Sequence, residues 1–502
     1  MFKLKILTGE KRIQYKPLSV AVKFLFEDKK LESTLNNTEK IFNIKLSELQ
    51  KKNFLGKNDV LTSSRYDGKP DEVILYKVNK EKDFSPDYFR SKIAGLISQI
   101  NKSEVRNLHI FIPSFKNFSE YFSSEEYFYR TFVEGIYYGN YYFSIKKEKD
   151  DVKELTVFLY ADNDELIEQA ISMTSVIMKG VNKTKDLQNA PSNELFPEEL
   201  ANRIKKMFDN EKVDVKVFDE AALEKRKMGG LLAVGNGSEH KPRMIIIDYN
   251  KDAGKGKKKI KSIAVVGKGV TFDSGGISIK PSQGMSEMKG DMSGAAVVAG
   301  LLYVISNLNL PIHVTGIIPA AENMPSGSSM RPGDILTTAS GKTIEVDNTD
   351  AEGRIILSDG LDYACKLNPD LIIDLATLTG ACVVALGSHV AGVFTKDEEL
   401  AQSLFKIGMQ TSEKVWPMPM WDEYHQLNKS EVADVKNLGG RWGGAISAAK
   451  FLENFVNPKI KWAHIDIAGP AGPHEFNNYN KKYFTGFGVR LLFEYLYSGG
   501  LK

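Results

Sequence analysis

Cysteine is nearly absent. Cys365 and Cys382 are the only two in 502 residues, so no disulfide framework can hold this chain together. Each lies in apolar text, Tyr363-Ala364-Cys365 and Ala381-Cys382-Val383-Val384, which predicts buried, reduced thiols. Histidine is scarce too: the seven are scattered and no His-Glu-x-x-His occurs, so any metal must be held mainly by oxygen. Neither sign of charge is in excess. With 67 basic and 64 acidic side chains the net charge is +3, which argues against a dedicated nucleic-acid binder. No apolar run approaches the ~18 residues of a membrane span, and Met1 to Tyr15 lacks the apolar core of a secretory signal. A cytoplasmic chain with no membrane partner is the expectation. Gly341-Lys342-Thr343 has the end of a phosphate loop, but Leu336 stands where that loop needs its first glycine. There is no Gly-x-Ser-x-Gly elbow and no internal repeat of fixed period.

What is present reads as globular, with 42% hydrophobic and 26% charged residues, and the length suits two or three folding units at ~100–200 residues each. The first part mixes strand-like runs, Ser19 to Phe26 and Leu108 to Pro113, with a helical one from Glu125 to Tyr138. Its aromatic cluster (Phe118, Tyr121, Phe122, Tyr127, Phe128, Phe132, Tyr137, Tyr138 and Tyr141 to Phe143) comes at helical spacing with few basic neighbours. Core packing explains it better than a base-stacking platform. From Leu166 to Val181 the apolar residues recur every three or four positions, one face of a helix. Asn189-Ala190-Pro191-Ser192-Asn193 breaks that pattern, and Pro197 opens a second helix. Beyond it strands alternate with helices. Val213 to Phe218, Met244 to Asp248, Ile263 to Val266, His313 to Pro319 and Leu371 to Leu375 read as strands, and Gly294 to Leu308 and Gly353 to Cys365 as helices. The lysine-rich Lys251 to Lys261 reads as a solvated loop. The fold class is α/β. A smaller N-terminal α/β domain over 1–165 is joined by a long helix over 166–190 to a larger α/β domain over 191–502 with a central mixed sheet.

Oxygen ligands gather in that larger domain. Val266 to Gly276 puts Lys268 and Asp273 on a glycine-rich loop after an apolar strand, where open α/β sheets place their ligands. Lys289-Gly290-Asp291-Met292-Ser293-Gly294 adds a second aspartate before a helix, a position that also suits an ordinary N-cap. Asn348-Thr349-Asp350-Ala351-Glu352-Gly353-Arg354 carries two carboxylates and an arginine at alternate positions, which would share one side of an extended segment. Asp273, Asp291, Asp350 and Glu352 suffice to bridge two divalent ions.

Asn348 to Arg354 resembles the signature of the leucyl aminopeptidases, the cytosol aminopeptidase family of two-metal exopeptidases, and Val266 to Lys280 resembles that family's metal-binding loop. The resemblance runs from about Leu187 to Leu496 and fades before residue 160, as expected of a variable N-terminal domain beside a catalytic one. It implies that Lys268, Asp273, Asp291 and Glu352 hold one metal and Asp273, Asp350 and Glu352 the other. It puts Lys280 and Arg354 on the two catalytic positions, and Lys280, Met288, Asn348, Thr377 and Gly380 at the substrate pocket. It also implies Zn²⁺ or Mn²⁺, with Mg²⁺ as a further candidate, bicarbonate at Arg354, peptides with a free N-terminus as substrates, and a homohexamer. Pro470-Ala471-Gly472-Pro473-His474 departs from the family's text, which leaves the preferred N-terminal residue open. Two rivals stand beside this reading. A two-metal phosphohydrolase would use histidines that these motifs lack. A catalytically silent structural or DNA-binding hexamer of the same fold would have a broken ligand set, and this one is complete.

Overall fold

The computed structural model describes residues 2–10, 13–65, 70–79, 84–145, 152–208, 212–250, 260–477 and 479–500. Most of the lysine-rich run, 251–259, lies outside them. The chain divides into two compact units, Met1–Met178 and Lys179–Lys502. The division falls inside one helix, Asp164–Asn189.

Among the described residues the N-terminal unit is built on six strands, β1 Lys3–Thr8, β2 Ser19–Phe26, β3 Val60–Ser64, β4 Glu72–Val78, β5 Asn107–Phe111 and β6 Glu154–Tyr160. They lie in the order β1-β6-β5-β2-β4-β3, all parallel except β3 against β4. Central β2 is an apolar run buried on both faces, as a parallel strand between helical layers requires. The aromatic cluster is core. Phe89, Phe118, Phe128 and Phe132 are buried and pack edge-to-face or stacked at centroid separations of 4.7 to 5.5 Å. Tyr142 departs from the expectation: it follows the end of the helix Glu125–Asn140 and is exposed.

Among the described residues the C-terminal unit has twelve strands: β7 Val213–Phe218, β8 Arg243–Tyr249, β9 Ser262–Gly267, β10 Gly269–Asp273, β11 His313–Asn323, β12 Ile335–Thr337, β13 Thr343–Glu345, β14 Leu371–Ala376, β15 Ala391–Phe394, β16 Val415–Met418, β17 Val435–Lys436 and β18 Lys461–Asp466. Nine form a mixed sheet in the order β16-β15-β18-β14-β9-β11-β8-β7, with β10 paired to β11. Its centre, β18-β14-β9-β11, is parallel, so Asp466, Ala376, Gly267 and Asn323 end four neighbouring strands at one edge. The helix Ser293–Asn307 lies close against that edge because its first turn is small. A Cβ on Gly294 would fall 2.1 Å from the Leu375 carbonyl oxygen. Met285–Asn307 is apolar enough to cross a membrane by composition, at mean hydropathy 1.3, but 83% of its most apolar window is buried inside the fold. A three-stranded sheet, β12-β13-β17, sets the residue after β17, Asn437, against Glu345. Cys382 is buried and Cys365, toward the end of the helix Glu352–Lys366, only half-buried; both thiols are free.

Candidate metal centre

Every carboxylate singled out in the sequence reaches the C-terminal edge of the parallel strands, where such sheets take ligands. Lys268 follows β9. Its Nζ lies 2.8 and 2.7 Å from the two Asp291 carboxylate oxygens, 3.0 Å from Glu352 Oε1 and 3.0 Å from the Thr377 carbonyl. Gly353 makes this approach feasible, since a Cβ there would stand 2.7 Å from that Nζ. Asp273 ends β10. Its Oδ1 accepts from Gly275 N at 2.9 Å and Asn323 Nδ2 at 2.8 Å, while Oδ2 faces Lys280 Nζ at 2.8 Å. Lys280 also reaches Asp350 Oδ1 at 2.5 Å. Asp291 does not cap the helix behind it. The cap position is Met292, without a side-chain bond, and the Asp291 carboxylate accepts from Thr377 Oγ1 at 2.7 Å as well as from Lys268.

Charge is crowded here. Burial, then the neighbouring Asp273, pushes the Glu352 carboxyl up to about 8 against the pull of Lys268. Burial raises Asp291 to about 6 despite Lys268, and raises Asp350, with Asp273 adding to it. Burial opposes the charge on Lys268 and Lys280, yet the surrounding carboxylates prevail and hold both above the usual lysine range. Burial lowers Arg354 to about 10, which leaves it a cation at neutral pH.

These residues fit divalent cations. Oxygen atoms of Asp273, Asp350 and Glu352 all lie within 4.8 Å of one another. Glu352 Oε2 is buried and meets no hydrogen-bond donor; Glu352 Oε1 and Asp291 Oδ2 are close to the Lys268 ammonium but off its hydrogen-bonding directions. A buried, oxygen-rich set with unspent acceptors suits hard and borderline dications. Among the described residues Asp422, His425 and Glu453 form another such group, but Lys396 and Lys450 already neutralise its carboxylates.

A cavity of about 470 Å³ opens on the centre. Lys268, Asp273, Lys280, Asp291 and Asp350 line its polar side, and Met288, Thr377 and Gly380 stand on its wall. Leu378, Val383, Ala468 and Phe484 complete an apolar end that sequence reasoning had not assigned, together with Ala471 of the divergent stretch Pro470 to His474. Asn348, Glu352 and Arg354 are not on its lining. The extended geometry expected for Asp350, Glu352 and Arg354 is not found, because the helix begins at Glu352 and turns its residues in different directions. Glu352 joins the carboxylates, whereas Arg354 Nη1 donates to the Asn437 carbonyl at 2.7 Å. Asn348 Oδ1 accepts from Asp350 N at 2.8 Å. Asn323 and Asn437 carry no motif that would have marked them.

Residues 182–493 match the cytosol aminopeptidase family, catalytic domain. A probable cytosol aminopeptidase of Chlorobaculum tepidum is 51% identical over 377 residues, 72% of this chain and 74% of the relative. One from Aquifex aeolicus is 41% identical over 488 residues, 96% of each chain. Among solved structures, a tomato leucine aminopeptidase mutant superposes with a TM-score of 0.83 at 31% identity, covering 99% of this chain and 97% of that one. The bottromycin maturation enzyme BotP in complex with Mn gives 0.81 at 29% identity, covering 95% and 99%. With that relation running through every strand end that bears a carboxylate, the chain belongs to the cytosol aminopeptidase family and is a metal-dependent aminopeptidase acting on peptides.

Proposed function

We propose that two divalent cations work side by side in this centre, one held by Lys268, Asp273, Asp291 and Glu352 and the other by Asp273, Asp350 and Glu352. The observation that carries the reading is the convergence of Asp273, Asp350 and Glu352 oxygens within 4.8 Å. Zn²⁺ and Mn²⁺ are the proposed occupants, with Mg²⁺ as a third candidate. When bound, such a pair supplies Lewis acidity for a peptide carbonyl and makes a water acidic enough to attack it near neutral pH. Lys268 takes part as a neutral amine, so the proton it keeps among Asp291, Glu352 and Asp273 leaves as cations bind. Lys280 stays charged and meets the carbonyl oxygen as that atom gains negative charge, the role of an oxyanion donor. Arg354 would hold an anion, bicarbonate, which would supply a base for the water's proton; the buried Nε of Arg354 has no acceptor among the described residues.

The substrate is a peptide with a free N-terminus. Its first side chain fits the apolar end of the cavity, walled by Met288, Thr377 and Gly380, with Asn348 ordering the loop beneath. The family relation supports a homohexamer in the cytoplasm with no membrane or nucleic-acid partner. On the same reading residues 1–165 form the N-terminal domain, 166–190 the connecting helix and 191–502 the catalytic domain.

Chelation is expected to abolish release of a chromophore from a leucyl test substrate, and returned Mn²⁺ or Zn²⁺ to restore it, with no activity on a phosphate ester. Asp273→Ala, which removes the shared carboxylate, is expected to be inactive. Full peptidase activity in protein that elemental analysis finds metal-free would sink the two-cation reading.

A further inference from the structure

We infer that Asn323 and Asn437 are the positioning residues of this centre: two buried amides that both bond the loop 347–351 and aim the carboxylates on and beside it. The inference rests on the two-cation reading above. Asn323 ends β11, and both protons of its Nδ2 are spent, on Asp273 Oδ1 at 2.8 Å and the Thr349 carbonyl at 3.0 Å. Its backbone carbonyl accepts from Ser274 N at 3.1 Å and Ser274 Oγ at 2.7 Å, which pins the donor itself. With Oδ1 of Asp273 occupied by Asn323 and Gly275, only Oδ2 is left to face the cavity.

Asn437 follows β17 and is fully buried. Its Oδ1 accepts from Asp347 N at 2.8 Å and Asn348 N at 3.3 Å. Its Nδ2 donates to the Asn348 carbonyl at 2.7 Å and, more weakly, to that of Ala351 at 3.5 Å. That uses every hydrogen-bonding position of the carboxamide. Its own carbonyl holds Arg354, so one residue fixes Asp350 and Glu352, on either side of Ala351, relative to the guanidinium.

The choice of asparagine follows from charge. An aspartate in either place would set a second carboxylate against oxygen acceptors only 2.7 to 2.8 Å away and add negative charge to a centre already crowded with it. A neutral amide orients the ligands and leaves the centre's charge to the cations.

The test measures Mn²⁺ affinity of metal-free protein by equilibrium dialysis, alongside kcat and KM at saturating Mn²⁺, for Asn323→Asp, Asn437→Asp and the corresponding alanine variants. Loss of such an orienting bond typically weakens metal binding about 10–100-fold. Asn323 variants are expected to weaken both ions, because Asp273 is shared. Asn437 variants are expected to weaken mainly the ion on the Asp350 side and to lower kcat more than they raise KM. Tyr249→Phe, which removes a buried bond to the Leu310 carbonyl in the same unit, is the control for stability loss alone and is expected to keep wild-type affinity. Asparagine variants that lose thermal stability as this control does, yet bind both ions as wild type, overturn the inference. Hydrogen exchange on wild type tests the clamp without any substitution. The Asp347 and Asn348 amides are expected to exchange slowly, and fast exchange at both overturns the role of Asn437. Wild-type protein that binds none of Mn²⁺, Zn²⁺ and Mg²⁺ sinks the two-cation reading itself, and the inference falls with it.

Discussion

At Gly353 the lack of one methyl group decides whether Lys268 can reach its partners. A glycine inside a helix costs roughly 1 kcal/mol relative to alanine, and the helix Glu352–Lys366 carries that cost in its first turn. A Cβ would lie 2.5 Å from Lys268 Cε and 2.7 Å from Nζ, and the buried lysine has nowhere to retreat without leaving Asp291 or Glu352. Gly353→Ala is therefore expected to weaken Mn²⁺ binding and to lower turnover by about 10², the order that a ~1 Å misplacement costs. Wild-type affinity and turnover in that variant would show that Lys268 has slack, against the packing described. At this scale the carboxylates were legible in sequence, because glycines beside them mark tight loops at strand ends. Asn323 and Asn437 were not. Their partners lie up to 90 residues away, and an asparagine at a strand end looks like any other until the chain is folded.

Strands supply the next level of order. Apolar runs such as β9 and β14 could be read from sequence because a parallel strand is buried on both faces. Their order could not, since it depends on pairings between distant segments, and nothing in the local text marks that the helix starting at Glu352 turns Arg354 toward the Asn437 carbonyl. Pairing also explains a buried charge within the sheet itself. Asp374 of β14 stands opposite His464 of β18, accepts from Trp462 Nε1 at 2.7 Å and lies 2.6 Å from His464 Nδ1. Burial opposes the imidazolium, but Asp374, with a smaller contribution from Asp466, outweighs it and raises the His464 pKa above its usual value. A raised histidine pKa contributes stability that is fully present below the unfolded value, about 6.5, and is lost as pH rises through the folded one. Asp374→Asn is expected to cost about 3–5 kcal/mol below that pH, the usual penalty for breaking a buried pair, and less on the alkaline side. Melting curves of both proteins at about pH 6 and about pH 9 check the sign; a gap that widens with pH would mean the pair is not ionised in the fold.

Among the described residues the two units fill their interiors differently. In Met1–Met178 one cluster combines rings, among them Phe89, Phe118, Phe128 and Phe132, with aliphatic side chains and a second is mainly aliphatic, whereas in Lys179–Lys502 aliphatic side chains such as Ile246, Val266, Ile317 and Ile372 fill the sheet. Every carboxylate and lysine of the metal centre belongs to the second unit. A ligand that binds only the folded form stabilises the unit holding its site, by about 2.7 kcal/mol at a free concentration ~100 times Kd. Calorimetry of the intact chain is therefore expected to resolve two transitions. Saturating Mn²⁺ should raise the one belonging to the C-terminal unit by about 5 °C and leave the other where it stands in metal-free protein. The assignment can be read independently, because Asp374→Asn should lower the metal-sensitive transition and leave its companion in place. A single transition that moves as a whole with Mn²⁺ would mean that the two units unfold together, and the cations then stabilise the N-terminal unit as much as the one that binds them.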